Sequence, residues 1–189
     1  MTASRTIHIE GIGPVLLEKS ARARRITVTV IPGKHIRVAV PRRVSFQLAE
    51  EFAKEKKPWL KKILAGIRVQ QERQKDLAER FATTDIPRAK QELAQRLAGL
   101  AEQHGYSYGK VIIRNQKTRW GSCSHRNTIS LNIKLALLPD ELRDYVMLHE
   151  LIHTGIRNHG PGFWAKLDGL VGDARGMARR LRNYDLRLF

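Results

Sequence analysis

Cysteine is nearly absent from this chain, and so are long apolar runs. Cys123 is the single cysteine among 189 residues, so no internal disulfide can form and a zinc site made of cysteines alone is excluded. No stretch reaches the roughly 18 consecutive apolar residues of a membrane span. The first residues are interrupted by Arg5, His8 and Glu10, which argues against a signal peptide. The expectation is a cytoplasmic protein without a membrane partner. Acidic residues are scarce as well: 18 Asp and Glu face 35 Lys and Arg, for a formal net charge of +17. A surplus of that size attracts polyanions over long range, which makes nucleic acid or a nucleotide a candidate partner. The surplus is spread along the chain, with 18 basic and 8 acidic residues up to Phe81 and 17 and 10 after it. Charge so distributed reads first as a solvated surface and names no partner by itself.

What is present is a globular composition, with 42% hydrophobic residues, in a chain long enough for one large domain or two small ones. Ile26, Val28 and Val30 alternate with Thr27 and Thr29, Pro32-Gly33 marks a turn, and Ile36, Val38 and Val40 resume the alternation. This two-residue period predicts a hairpin. The TIHIE and VLLEK segments around Gly11-Ile12-Gly13-Pro14 predict a second. Ser45 suits the cap of a helix carrying Phe46, Ala49, Phe52 and Ala53, which Pro58 should break or restart. The polar stretch from Arg68 to Asp85 reads as a surface helix or connector, and Leu93, Leu97 and Leu100 predict a helix over 87–104. KVIIRN, TRWGSC and TISLNIK are short strand candidates. Pro139 then opens a helix with Asp140 and Glu141 in its first turn, where carboxylates favour the helix dipole.

That helix carries HELIHTGIRNH, residues 149–159. Residues four apart on a helix share a face, so His149 and His153 can grip one ion. Glu150 is rotated by about 100° from His149, which sets its carboxylate beside the ion, where it can take a proton from a metal-bound water. A catalytic zinc takes three protein ligands. His159 on a continuing helix would lie about 9 Å further along the axis, so the helix must stop. Gly155 and Asn158 suit a left-handed ending, after which His159 can swing back. The same spacing occurs in metzincin proteases, but their pattern needs Gly three residues after the second His, and Ile156 stands there.

KTRWGSCS (117–124), TISLN (128–132), LPDELRDYVMLHELIH (138–153) and NHGPGFW (158–164) together resemble the YgjP-like metal-dependent hydrolase family, relatives of the SprT and WLM zinc metallopeptidases. The likeness extends through SARARRITVTV, IRVAVP and KKPWLKKIL. It implies an α+β fold, in which an N-terminal antiparallel β-rich half (1–84, hairpins and helix) is joined to a zincin-like hydrolase domain (85–189) with a small sheet and the HExxH helix. It also implies His149, His153 and His159 as ligands of one Zn2+ per chain, Glu150 as the catalytic residue, and packing of the third ligand by Phe163-Trp164.

The function expected from residues and resemblance together is a zinc-dependent hydrolase of metallopeptidase type, with a peptide or protein substrate and Glu150 activating the attacking water. The alternatives are a metal-dependent nucleoside triphosphate (UTP) pyrophosphatase and a nucleic-acid-associated zinc module. Arg119 and Trp120 are candidate substrate-binding residues, although Trp120 and Cys123 also fit a structural role beside a Gly121 bulge. Arg119, His125 and Tyr145 are candidate oxyanion donors. Arg22, Arg24 and Arg25 could meet phosphate.

Overall fold

The computed structural model describes residues 3–31, 33 and 35–186. The chain divides by internal contacts into residues 1–71 and 72–189. The architecture is α+β.

The first unit holds a four-stranded sheet of β1 (Ser4–Ile9), β2 (Gly13–Ser20), β3 (Thr27–Ile31) and β4 (His35–Pro41), in the order β1-β2-β4-β3. Both expected hairpins are present: β1 pairs antiparallel with β2, and β3 antiparallel with β4. They join through a parallel seam between β2 and β4, with Val15 opposite Ile36 and Leu17 opposite Val38. The sheet is therefore mixed, which hairpin periodicity alone does not reveal. Gly33 has φ +72, as a tight turn needs; Pro32 lies outside the described residues. Alternation sends Ile7, Ile9, Val15, Leu17, Ile36, Val38 and Val40 to one buried face.

Helix α1 (Phe46–Glu55) lays Ala49 and Ala53 into the same core. Its first turn is capped by Ser45 Oγ, which accepts from the Leu48 amide at 3.2 Å. The chain breaks at Lys56 and restarts as α2 (Lys57–Ala82) with Pro58 in the opening turn, where a missing N–H costs nothing. The polar stretch expected as a surface helix or connector is the continuation of α2, and the contact division falls inside this helix.

In the second unit α3 (Ile86–His104) is capped by Asp85 and closed by Gly105 at φ 68. It turns Ala89, Leu93, Leu97 and Leu100 inward. A three-stranded sheet of β5 (Lys110–Arg114), β6 (Gly121–Cys123) and β7 (Thr128–Asn132) has β7 in the centre, parallel to β5 and antiparallel to β6. A 3-10 turn (Ile133–Leu137) leads to α4 (Asp140–Ile152), then α5 (Pro161–Val171) and α6 (Ala174–Leu181). One core unites Leu93 and Leu97 of α3, Ile129 and Leu131 of β7, Leu142, Met147 and Leu151 of α4, and Phe163 and Leu167 of α5. Each such side chain, fully buried, contributes roughly 1.5–3 kcal/mol. Among the described residues no helix is long and apolar enough to cross a membrane.

Candidate metal centre

Helix α4 is buried along Tyr145, Val146, Met147, Leu148, Leu151 and Ile152, so its remaining face presents His149 at its last turn. The helix ends at Ile152, with His153 itself as the C-cap in right-handed conformation. The sequence suggested a left-handed ending at Gly155 or Asn158, and neither residue has positive φ. The reversal is instead built from hydrogen bonds. The Ile156 amide donates to the Ile152 carbonyl at 2.9 Å, the Thr154 hydroxyl to the Leu151 carbonyl at 2.7 Å, and the Gly160 amide to Asn158 Oδ1 at 3.2 Å. Pro161 then starts α5.

This turn returns His159 to the other two imidazoles. The Nε2 atoms lie 3.2 Å apart between His149 and His153, 3.1 Å between His153 and His159, and 3.0 Å between His159 and His149. Phe163, fully buried, is the floor of the triad: its ring centroid is 4.8 Å from that of His149 and 4.7 Å from those of His153 and His159. Trp164 flanks His159 at 6.2 Å and carries the Arg175 guanidinium on its ring.

The donor chemistry fits a cation. His153 Nδ1–H donates to the Ile156 carbonyl at 2.9 Å; since a carbonyl can only accept, the proton is fixed there and the Nε2 lone pair faces the other rings. Burial, followed by the nearby His153 and His159, pushes His149 down to about 3, and burial lowers His153 too. Neutral imidazoles are what a metal binds. In a tetrahedral zinc site with Zn–N bonds near 2.05 Å, ligand nitrogens are about 3.3 Å apart, close to the spacing seen. His149, His153 and His159 form a group that could hold a metal ion.

Glu150, the next residue along α4, is 6% exposed and lines one cavity with His149. Burial pushes its carboxyl up to about 7, and the Arg119 charge opposes that rise. Its carboxyl group packs against Gly121, where an added Cβ would meet Glu150 Oε1 at 2.8 Å. Arg119, Trp120 and Tyr145 line the same cavity as Glu150 and His149. Of the candidate oxyanion donors, Arg119 and Tyr145 are thus beside Glu150. His125 lies on the turn between β6 and β7 and is absent from that lining.

Three positions escape a reading of the sequence alone. Gly121 is a close-approach glycine against Glu150 rather than a bulge, and its signal is its place in RWGSC. Asn132, fully buried, donates from Nδ2 to the Gln116 and Arg119 carbonyls at 2.8 and 2.9 Å while its Oδ1 accepts from the Lys134 amide at 3.2 Å. It thereby fixes the loop that leads to Trp120. Arg157 ties the His159 loop to the β6–β7 turn: Nη1 donates to the Ser124 carbonyl at 2.8 Å, and Nη2 to the His125 carbonyl at 3.3 Å and to Asn127 Oδ1. Cys123 is half-buried against the core, burial pushes its thiol up, and the Arg157 charge and hydrogen bond oppose that rise.

Residues 67–184 match the profile of the YgjP-like metallopeptidase domain. The chain belongs to the YgjP-like family. It therefore carries a metallopeptidase domain, and family membership makes it a hydrolase of metallopeptidase type. Among solved structures, this YgjP-like chain is similar to the metallopeptidase zymogen abylysin of Pyrococcus abyssi, at 25% identity over 47% of this chain and 90% of that one, with a TM-score of 0.42. No curated protein matches.

Proposed function

We propose that the chain is a zinc-dependent peptidase in which His149, His153 and His159 hold one Zn2+ and Glu150 is the general base. The observation that carries this reading is the convergence of three Nε2 atoms within 3.2 Å of one another, with a buried carboxylate at the next position along α4. Zinc bound there supplies Lewis acidity toward the scissile carbonyl and toward water. Glu150 accepts the proton of the attacking water and returns it to the leaving amine. The lining of apolar side chains and Gly121 holds its carboxylate in one place, and Arg119 opposes the rise that burial causes. Arg119 or Tyr145 stabilises the developing oxyanion. Arg119 and Trp120 contact substrate. Residues 85–189 form the hydrolase domain and 1–84 the N-terminal region.

Cleavage of a nucleoside triphosphate such as UTP has less support. The usual two-metal chemistry needs clustered free carboxylates. The candidates on α4 are each held by an arginine: Asp140 by Arg143 at 2.9 Å, Glu141 by Arg180, and Asp144 by Arg96 at 2.9 Å. The non-enzymatic zinc module would explain the triad but leaves the buried Glu150 without a role. Nucleic-acid contact through the +17 charge remains a separate proposal and is compatible with peptidase action.

The test is metal analysis of the purified chain alongside peptide and UTP turnover. The expected result is one zinc per chain and peptide cleavage that chelation abolishes and zinc restores. Phosphate release from UTP with peptides left intact would overturn the reading.

A further inference from the structure

The cavity beside Glu150, about 250 Å³ in volume, does not end at the catalytic face. Trp120, Tyr145 and Leu181 on its wall also line a larger cavity of about 460 Å³. Sharing that wall, the two are taken together as a trough with Glu150 at one end and Tyr184, Lys117 and Arg182 at the other. Its size is that of a small-ligand site. The shared wall is aromatic and aliphatic, Arg119 stands at the Glu150 end, and Lys117 and Arg182 stand at the far end. Lys117 and Arg182 are exposed side chains at that end, and Arg182 Nε makes one long contact of 3.4 Å with the Ala178 carbonyl. Behind them the buried Lys134 donates to the Leu186 carbonyl at 3.2 Å, and the charge of Lys117 is felt there, adding to the burial that lowers the Lys134 amine. Asp185 also lines the trough, so among the described lining residues at this end two cations stand beside one carboxylate.

The direction of the reaction decides what lies in this trough. A general base that returns its proton to the leaving amine must sit on the leaving-group side of the scissile bond. The trough starts at Glu150, so the fragment released as an amine extends along it. Resting on the peptidase reading above, we propose that the trough selects peptides with an aromatic or long aliphatic residue directly after the scissile bond. That residue packs against Trp120, Tyr145, Leu181 and Tyr184, and a carboxylate following it meets Lys117 and Arg182. The carboxylate is either an acidic side chain or a free C-terminus.

The experiment separates binding from cleavage. Zinc-loaded Glu150→Gln protein is titrated with matched peptides bearing Phe-Glu, Phe-Lys, Ala-Glu, Phe-Gly acid or Phe-Gly amide after the scissile position. The same set is offered to the wild-type enzyme for turnover. Phe-Glu should bind about tenfold more tightly than Phe-Lys, the scale of two partly screened ion pairs. The Lys117→Glu/Arg182→Glu double variant should reverse that order. Preference for the free acid over the amide assigns the end to a C-terminus, and preference for Phe-Glu regardless of amidation assigns it to a side chain. Equal binding of Phe-Glu and Phe-Lys, or an order untouched by the charge reversal, overturns the proposal, as does UTP displacing the peptides more tightly than any of them binds. Selective binding with no cleavage by the wild type would leave the trough assignment standing and sink the peptidase reading. Cleavage without selectivity would do the reverse.

Discussion

The Cβ position of Gly121 lies 2.7 Å from Cγ of Glu150. Real Cβ atoms do not approach a neighbour so closely, and Gly121 has no left-handed backbone to explain it. The glycine is there to let a carboxylate side chain pass. Gly121→Ala should therefore displace Glu150 while leaving the histidines alone. We expect unchanged zinc content and a loss in kcat of about 10²-fold, the scale of a misplacement near 1 Å. Wild-type turnover in this variant, read with a fluorogenic peptide, would mean that the position of Glu150 does not matter to the reaction.

Glu150→Gln keeps shape and removes the proton acceptor. Metal content should match wild type, and peptide turnover should fall by about 10² to 10⁴-fold, the usual worth of a general base. The result that rules out the assigned base is a kcat within twofold of wild type.

Arg157 reaches across from the His159 loop to Ser124 and Asn127. Removing it should loosen the third ligand without touching the core. Arg157→Ala is expected to weaken zinc binding about 10- to 100-fold, as loss of an outer-shell support does, and His159→Ala to weaken it further. A competing chromogenic chelator measures both. Equal zinc affinity in wild type and Arg157→Ala would show that the turn holds its shape unaided.

Two core truncations separate scaffold from site. Leu97→Ala, fully buried in α3, should destabilise the protein by about 2–5 kcal/mol in urea and leave zinc affinity of the folded protein unchanged. Phe163→Ala should cost about 3–5 kcal/mol and also weaken zinc binding, because its ring supports all three imidazoles. If zinc affinity survives in Phe163→Ala, the triad does not depend on its floor.

The elements whose side chains repeat with a clear period were legible before any coordinates. The β3–β4 alternation, the Leu93-Leu97-Leu100 stripe of α3, the Ser45 cap and the restart at Pro58 all appear where local chemistry puts them. The seam between β2 and β4 was not legible, because parallel pairing of distant strands leaves no local signature. At the site, the four-residue spacing of His149 and His153 and the need for a third ligand brought His159 in. The manner of its return differs from the left-handed ending that Gly155 and Asn158 suggest: side-chain and backbone hydrogen bonds at Thr154, Ile156 and Asn158 turn the chain, and neither glycine nor asparagine takes a positive φ there. Gly121, Asn132 and Arg157 act on partners far away in sequence, and one-dimensional spacing says nothing about such partners.

The seam also bears on how the chain reaches its fold. Val15 pairs with Ile36 across the intervening β3 segment, so the first hairpin cannot dock until β4 is in place. Loop closure must precede any reward from such pairing. Ribosomal synthesis thus delivers β1 and β2 before β4 exists, leaving an unpaired strand edge that waits on residues still to be made.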